Sequence, residues 1–235
     1  MTPDQEIQMR KDFTDYEING FLCQQKGILG GNALLATSEK MIILYKSGVL
    51  NTADIDNFRT CLSACEMPGT VGLYHRAGDP NSLEAQDDYM GILTASYLCD
   101  PTRAKEIYGW GEQHGGSWNN VNPEKWSLNS YFCRSPAFDA HMTLCAGKMP
   151  PLTLQIAWSV NMLTSGRSNV QDEDSRTFCW FMLQTEEIWR NNPMMEKAAA
   201  SWRARFQRDW PGGMRQVMTY YLGNALHPLA TYWPI

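Results

Sequence analysis

From Asn32 to Ser47 the apolar side chains fall at helical spacing, with Leu35, Ile42 and Ile43 on one face. The segment has no proline and is rich in Ala, Leu, Met, Glu and Lys, so it reads as a helix that ends at Gly48. Asn51-Thr52-Ala53-Asp54 then supplies a capping side chain followed by an acid that suits the positive end of the helix dipole. The next helix should run from there to about Cys65, leaving Gly48 to Asn51 as the tight link of an antiparallel helical hairpin.

The same punctuation recurs. Asp100-Pro101 closes a helix over Gln86 to Cys99 and opens another over Thr102 to His114, because proline is tolerated at a first helical position. Ser135-Pro136 opens a third pair, Gly147 stops its first member, and Pro150-Pro151 starts a partner reaching about Leu163. A fourth pair is expected over Asp172 to Asn191 and Pro193 to Asp209, broken at Asn192-Pro193 and ended by Pro211-Gly212-Gly213. A short helix over Met214 to Tyr221 leads into a tail. No two-residue hairpin turn flanked by alternating apolar residues is read, so strands should be few and short.

The expected fold is therefore all-α: serial antiparallel helical hairpins forming an incomplete α/α-toroid-like array with a cleft at one end, or alternatively a helical bundle. The pairs share no fixed period, which argues against a stacked solenoid. With 235 residues and no linker-like stretch, one domain over 1–235 is expected, with an N-terminal segment at 1–30 and a C-terminal tail at 222–235.

Composition narrows the function classes. Hydrophobic residues make up 43% and charged residues 19%, a balance that buries a core and excludes a disordered chain. The net charge is -5 and basic residues are scattered, apart from Arg203, Arg205, Arg208 and Arg215. These lie among Glu196, Asp209, Trp202 and Trp210 and read as a solvated helix face, so nucleic acid is not expected as a partner. The acidic, polar start lacks the features of a secretory signal, and no apolar run approaches the roughly 20 residues that a bilayer crossing needs.

Seven cysteines without a Cys-x-x-Cys fit buried free thiols in a reducing compartment; Cys61 and Cys65 share a helix face but have no further metal ligands nearby. Four scattered histidines make no zinc motif, and no phosphate loop, dinucleotide fingerprint or nucleophile elbow is present. Neither a metal nor a cofactor is expected. His75, His141 and Cys133 have no spacing that marks a nucleophile and base.

Two long loops, Glu66 to Gln86 and Gly115 to Arg134, carry aromatic, amide and charged residues instead of plain connector residues, and loops of that length usually have a role. The first holds His75 and Arg76 and leads to Asp87, Asp88 and Tyr89 at the mouth of a helix. Acids there cap backbone N–H groups, but Asp88 also shares its face with Gly91, Ile92 and Ala95, small enough to admit a ligand. Glu39 is a carboxylate on the apolar stripe of Asn32, Leu35, Ile42 and Ile43, and such a group needs a cation, hydrogen bonds or a raised pKa. The second loop interleaves Trp118 and Trp126 with Asn119 and Asn120, which is either the pinning of an irregular loop or the aromatic-and-amide surface that a sugar ring stacks on.

Gly31-Asn32-Ala33-Leu34-Leu35 with Glu39, Gly72-Leu73-Tyr74-His75-Arg76, Gln86-Asp87-Asp88-Tyr89-Met90-Gly91, Trp118-Asn119-Asn120 with Trp126-Ser127-Leu128, Pro211-Gly212-Gly213-Met214 and His227-Pro228-Leu229-Ala230 resemble segments of a family of helical proteins encoded by bacteriophages. The resemblance implies a viral origin and no particular reaction. The Asn-Ala-Leu-Leu and Asp-Asp-Tyr segments are also similar to those of six-hairpin glycoside hydrolases and polysaccharide lyases, although this chain is short for six full hairpins.

Two functions are expected from these features. In the first, a phage protein associated with the virion or tail, and made in the host cytoplasm, presents a cleft to a saccharide or to other virion proteins, with oligomer formation possible. Asn32, Arg76, Asp87, Tyr89, Trp118, Asn119, Asn120 and Trp126 are the candidate ligand-binding residues. In the second, a glycan-cleaving enzyme divides acid and base roles between Glu39 and Asp88, with His75 assisting; that chemistry needs two carboxyls roughly 5 to 10 Å apart. A third class, an inhibitor of a host defence protein, has no sequence feature that singles it out.

Overall fold

Helices start and stop where the chain is punctuated. The computed structural model describes residues 1–84, 86–113, 136–165 and 173–233. Helix α1 spans Pro3–Thr14; strands β1 (Glu17–Ile18) and β2 (Phe21–Leu22) form a small hairpin; α2 (Ala33–Lys46) and α3 (Thr52–Cys65) follow. Gly48 ends α2 with φ +72°, a conformation that costs glycine little. Asn51 and Asp54 cap α3 reciprocally, each side chain accepting from the other's backbone N–H at 3.0 and 3.1 Å.

A second hairpin of strands, β3 (His75–Arg76) and β4 (Asp79–Leu83), leads to α4 (Gln86–Cys99) and α5 (Pro101–Gln113), then α6 (Pro136–Cys145) and α7 (Leu152–Thr164). These three helix pairs pack as expected. The fourth does not. Its first half divides into α8 (Glu173–Leu183) and α9 (Glu186–Trp189), and α10 (Pro193–Asp209) packs on α7 instead of α8. Two polar contacts hold α10 there: Arg205 Nη2 donates to the Met162 carbonyl at 2.5 Å, and Asn192 Nδ2 donates to Gln155 Oε1 at 2.6 Å. Helix α8 lies on α4 and on α11 (Gly213–Leu222), and the tail forms α12 (Pro228–Tyr232) against α1, α2 and α11.

One feature corrects the sequence reading and a second adds to it. A two-residue hairpin turn does occur, at Asn19-Gly20, with φ +53° and +86°, as the primed turns require. In the segment at 1–30, for which no helix was predicted, Thr2 and Gln5 form a capping box, Pro3 stands at the first helical position, and Met9 and Phe13 dock α1 into the core. The expected scarcity of strands holds among the described residues.

The fold is all-α, and α4 is its centre. Every residue from Asp88 to Ser96 is buried, and α4 touches α2, α5, α6 and α8. A helix buried on every face needs no amphipathic stripe, and Tyr89, Met90, Ile92, Leu93 and Ala95 give it none. Helices α2, α5, α6 and α8 pack on it directly, and the rest pack on those or on one another. Gly91 brings α2 closest, since a Cβ there would meet Leu35 Cδ1 at 2.5 Å. Farther along, Cys99 Sγ lies 3.7 Å from the Met41 carbonyl. Residue numbers therefore rise together along the pair, and α2 and α4 run parallel. The six described cysteines are buried free thiols. Among the described residues no helix is long and apolar enough to cross a membrane, and no cluster of three or more His, Cys, Asp or Glu could hold a metal.

Candidate functional site

Asp88 stands in the first turn of α4, level with Asn32 on the parallel helix α2. It is 1% exposed, and Arg76 from β3 reaches it with Nη2 3.7 Å from Oδ2. The arginine can lie there because Gly31 has no side chain: a Cβ would stand 3.2 Å from both Cδ and Nη1 of Arg76. The residues that place Asp88 and Arg76 together are thus legible as the Gly-Asn, His-Arg and Asp-Asp-Tyr segments.

Glu39 lies two turns farther along α2, about 10 Å from the level of Asp88 on the helix rise. It is 2% exposed and borders a narrow cleft with Leu35, Thr177, Phe178, Phe181, Met218 and Tyr221. The cleft has a volume of about 20 Å³, room for one water and not for a sugar ring. Tyr221, on its border, is held by Asn32, which donates from Nδ2 to Oη at 3.0 Å, and by Gln24, whose Nε2 donates to the same oxygen at 3.2 Å.

The remaining sequence candidates separate. His75 Nδ1 lies 3.0 Å from the carbonyl oxygen of Arg76, within the β3 strand. Tyr89 is buried and its hydroxyl accepts from the Tyr74 backbone N–H at 2.8 Å, which ties the loop to α4. Asp87 is the second residue of α4, but its side chain lies outside the described residues, as do Trp118, Asn119, Asn120 and Trp126.

A much larger groove opens at the other end of the parallel pair. It has a volume of about 920 Å³ and is assembled from the ends of α2 (Tyr45, Lys46), α4 (Tyr97, Leu98) and α8 (Trp180, Leu183), from Gln184 just past α8 and from Pro101 at the start of α5. Helix α9 adds Glu186, Glu187 and Arg190, and α10 adds Trp202, Arg203, Phe206 and Gln207. Trp202 and Phe206 stack at 4.6 Å with planes 14° apart, and Trp180 stands edge-on to Trp233 at 4.5 Å, so the walls are held from behind.

Charge of both signs rims the groove. Arg203 pairs with Glu186, and Lys46 stands in the last turn of α2, where it opposes the negative end of the dipole. Desolvation by the groove walls draws the Lys46 ammonium below its usual range, against the pull of Glu186 and Glu187. Gln184 gives its amide hydrogen to the Trp180 carbonyl at 2.9 Å, leaving Oε1 to accept. Aromatic faces, amides and the carbonyl ends of three helices therefore converge on one space.

The sequence reading missed this site. It took the arginines near 203–215 together as one solvated face, but they part: Arg203 lines the groove, Arg205 reaches α7, Arg208 pairs with Asp209 at 2.8 Å, and Arg215 donates to the Trp233 carbonyl at 2.6 Å. Trp202, 3% exposed, was the available signal. No family model, curated protein or solved structure matches the chain.

Proposed function

We propose that this is a binding protein whose groove at the ends of α2, α4 and α8 takes an oligosaccharide. The observation that carries the reading is the lining: Tyr45, Tyr97, Trp180 and Phe206 supply flat apolar faces within reach of Gln184, Gln207, Arg190 and Lys46. A sugar stacks its C–H face on an aromatic ring and needs fixed donors and acceptors for its hydroxyls. A volume of about 920 Å³ accommodates several rings, at the upper end of ligand-sized clefts. In the viral setting that the sequence resemblance implies, such a groove would let a virion- or tail-associated protein engage a surface glycan.

Binding is favoured over cleavage by room. The spacing of Glu39 and Asp88 along the helices is at the outer edge of what an inverting pair uses, but both are almost wholly buried and the cleft beside Glu39 admits only a water.

A glycan array followed by calorimetry tests the proposal. Tyr45, 42% exposed, and Arg190 are at the groove surface, so Tyr45→Ala and Arg190→Ala should leave the fold intact and each weaken binding about tenfold, near 1.4 kcal/mol. A blank array, or affinity unchanged in both variants, refutes it. Cleavage of a bound glycan that Glu39→Gln and Asp88→Asn abolish would restore the enzyme reading.

A further inference from the structure

Helix α7 is apolar on both faces but packed on one. Its inner face puts Trp158 against Trp189 of α9 at 5.1 Å and Asn161 within 3.6 Å of the sulfurs of Cys179 and Met182. Its outer face shows Leu152, Ile156, Val160 and Leu163, which are 65%, 46%, 50% and 36% exposed, and Met149, 43% exposed, extends the row ahead of the helix. The spacing of three and four residues makes one continuous stripe. Scattered surface leucines need no explanation, but a contiguous apolar patch of several hundred Å² marks an interface.

We infer that this face joins two copies of the chain. Two observations select that occupant. First, residues 149–165 contain no Asp, Glu, Lys or Arg. A two-fold contact sets the same patch against itself, and a stripe without charge meets its own copy with no charge left buried and unpaired. An amphipathic helix that lies on a lipid surface would instead carry a lysine- and arginine-rich polar face. Second, the exposures of these five residues amount to roughly 450 Å² on one protomer, so two copies cover about 900 Å² before the rims of the stripe are added, close to the ~1,000 Å² that a biological interface has to clear.

The pairing leaves the groove usable. Helix α10 takes Arg205 to α7 and Trp202, Arg203 and Phe206 to the groove, so two copies joined through α7 keep two grooves. This inference stands on different residues from the saccharide reading.

Sedimentation of the full chain over a concentration series tests it. A subunit of 26.7 kDa should be found at twice that mass at micromolar concentration. Val160→Lys and Ile156→Lys, at exposed positions, should keep the wild-type circular dichroism and raise the dissociation midpoint at least about a hundredfold. Val160→Cys should form a disulfide-linked dimer under mild oxidation. A monomer at every concentration to about 100 μM overturns the inference. So do a dimer untouched by both lysine variants, and a monomer that floats with neutral lipid vesicles through Ile156 and Val160.

Discussion

At the residue scale, the groups with the largest consequences are those whose chemistry is hidden. His141 is wholly buried between Thr94 and Cys145, with Nε2 2.9 Å from the threonine oxygen and 3.3 Å from the sulfur. Thr94 gives its own hydrogen to the Met90 carbonyl at 2.7 Å, so its oxygen accepts from His141 Nε2–H. Burial holds its pKa down to about 3, against an ordinary 6.5, and burial lowers that of His227 too. Below pH 6.5 the unfolded chain takes up a proton that the folded chain refuses. Stability is therefore complete above that pH and falls on acidification at about 1.4 kcal/mol per pH unit for His141, until pH 3. Urea unfolding at pH 7.5, 6 and 5 should show the fall, and His141→Gln should remove its larger part; equal slopes in the two proteins would mean that other groups set it. Cys145, four residues on, is a neighbour that helical spacing alone announces, but the burial and the bond to Thr94 were not legible, since they exist only where α4 and α6 meet. Glu39 was legible, because a carboxylate on an apolar stripe is conspicuous whatever it faces.

At the element scale, the readable helices are those whose ends carry their own chemistry. Asn51 with Asp54, Pro101, Pro136 and Pro193 each fix a start, and α4 begins and ends at the residues predicted for it. The break between α8 and α9 has no such mark: Gln184-Thr185-Glu186-Glu187 continues a helical composition, and the chain turns where Thr185 bonds back to Met182 at 3.0 Å. Asn19-Gly20 was marked and overlooked, because only two residues of strand flank it on each side. Caps also do unequal duty. Asn51 serves α3 alone, but Asp54 both completes that cap and accepts from Arg10 Nη1 at 3.0 and 3.1 Å, and Arg10 also reaches the Val49 carbonyl, which ties α1 to the α2–α3 link. Asn51→Ala should cost about 1 kcal/mol. Asp54→Ala should cost about 2 kcal/mol, since it also removes one of the two carboxylates that hold the half-buried Arg10, leaving Glu6 at 2.8 Å as the other. Amide exchange should separate them: α1 should exchange faster in Asp54→Ala and at the wild-type rate in Asn51→Ala, and equal effects on α1 would break the assignment.

At the scale of the whole molecule, what sequence concealed is convergence. The groove draws on six helices separated by as many as 160 residues, and no local spacing announces Tyr45, Trp180 and Trp202 as neighbours. The parallel course of α2 and α4 decides this, because it sends Asn32 and Asp88 to one end of the pair and Tyr45, Lys46, Tyr97 and Leu98 to the other. The same centrality orders the stability of the parts. Helix α4 is buried on every face and touches four others, so its amides have no route to solvent short of unfolding the core. Helix α9 is a single turn, with Glu186 and Glu187 exposed, and α1 buries only Met9 and Phe13. Native-state hydrogen exchange should therefore place the amides from Met90 to Ser96 at the free energy of global unfolding. Those of α9 and α1 should open several kcal/mol below it, in a step that adding denaturant leaves nearly unchanged because little surface is exposed. Exchange in α4 that outpaced α7 or α10 would mean that the bundle opens through its middle, and the groove would then have no rigid floor.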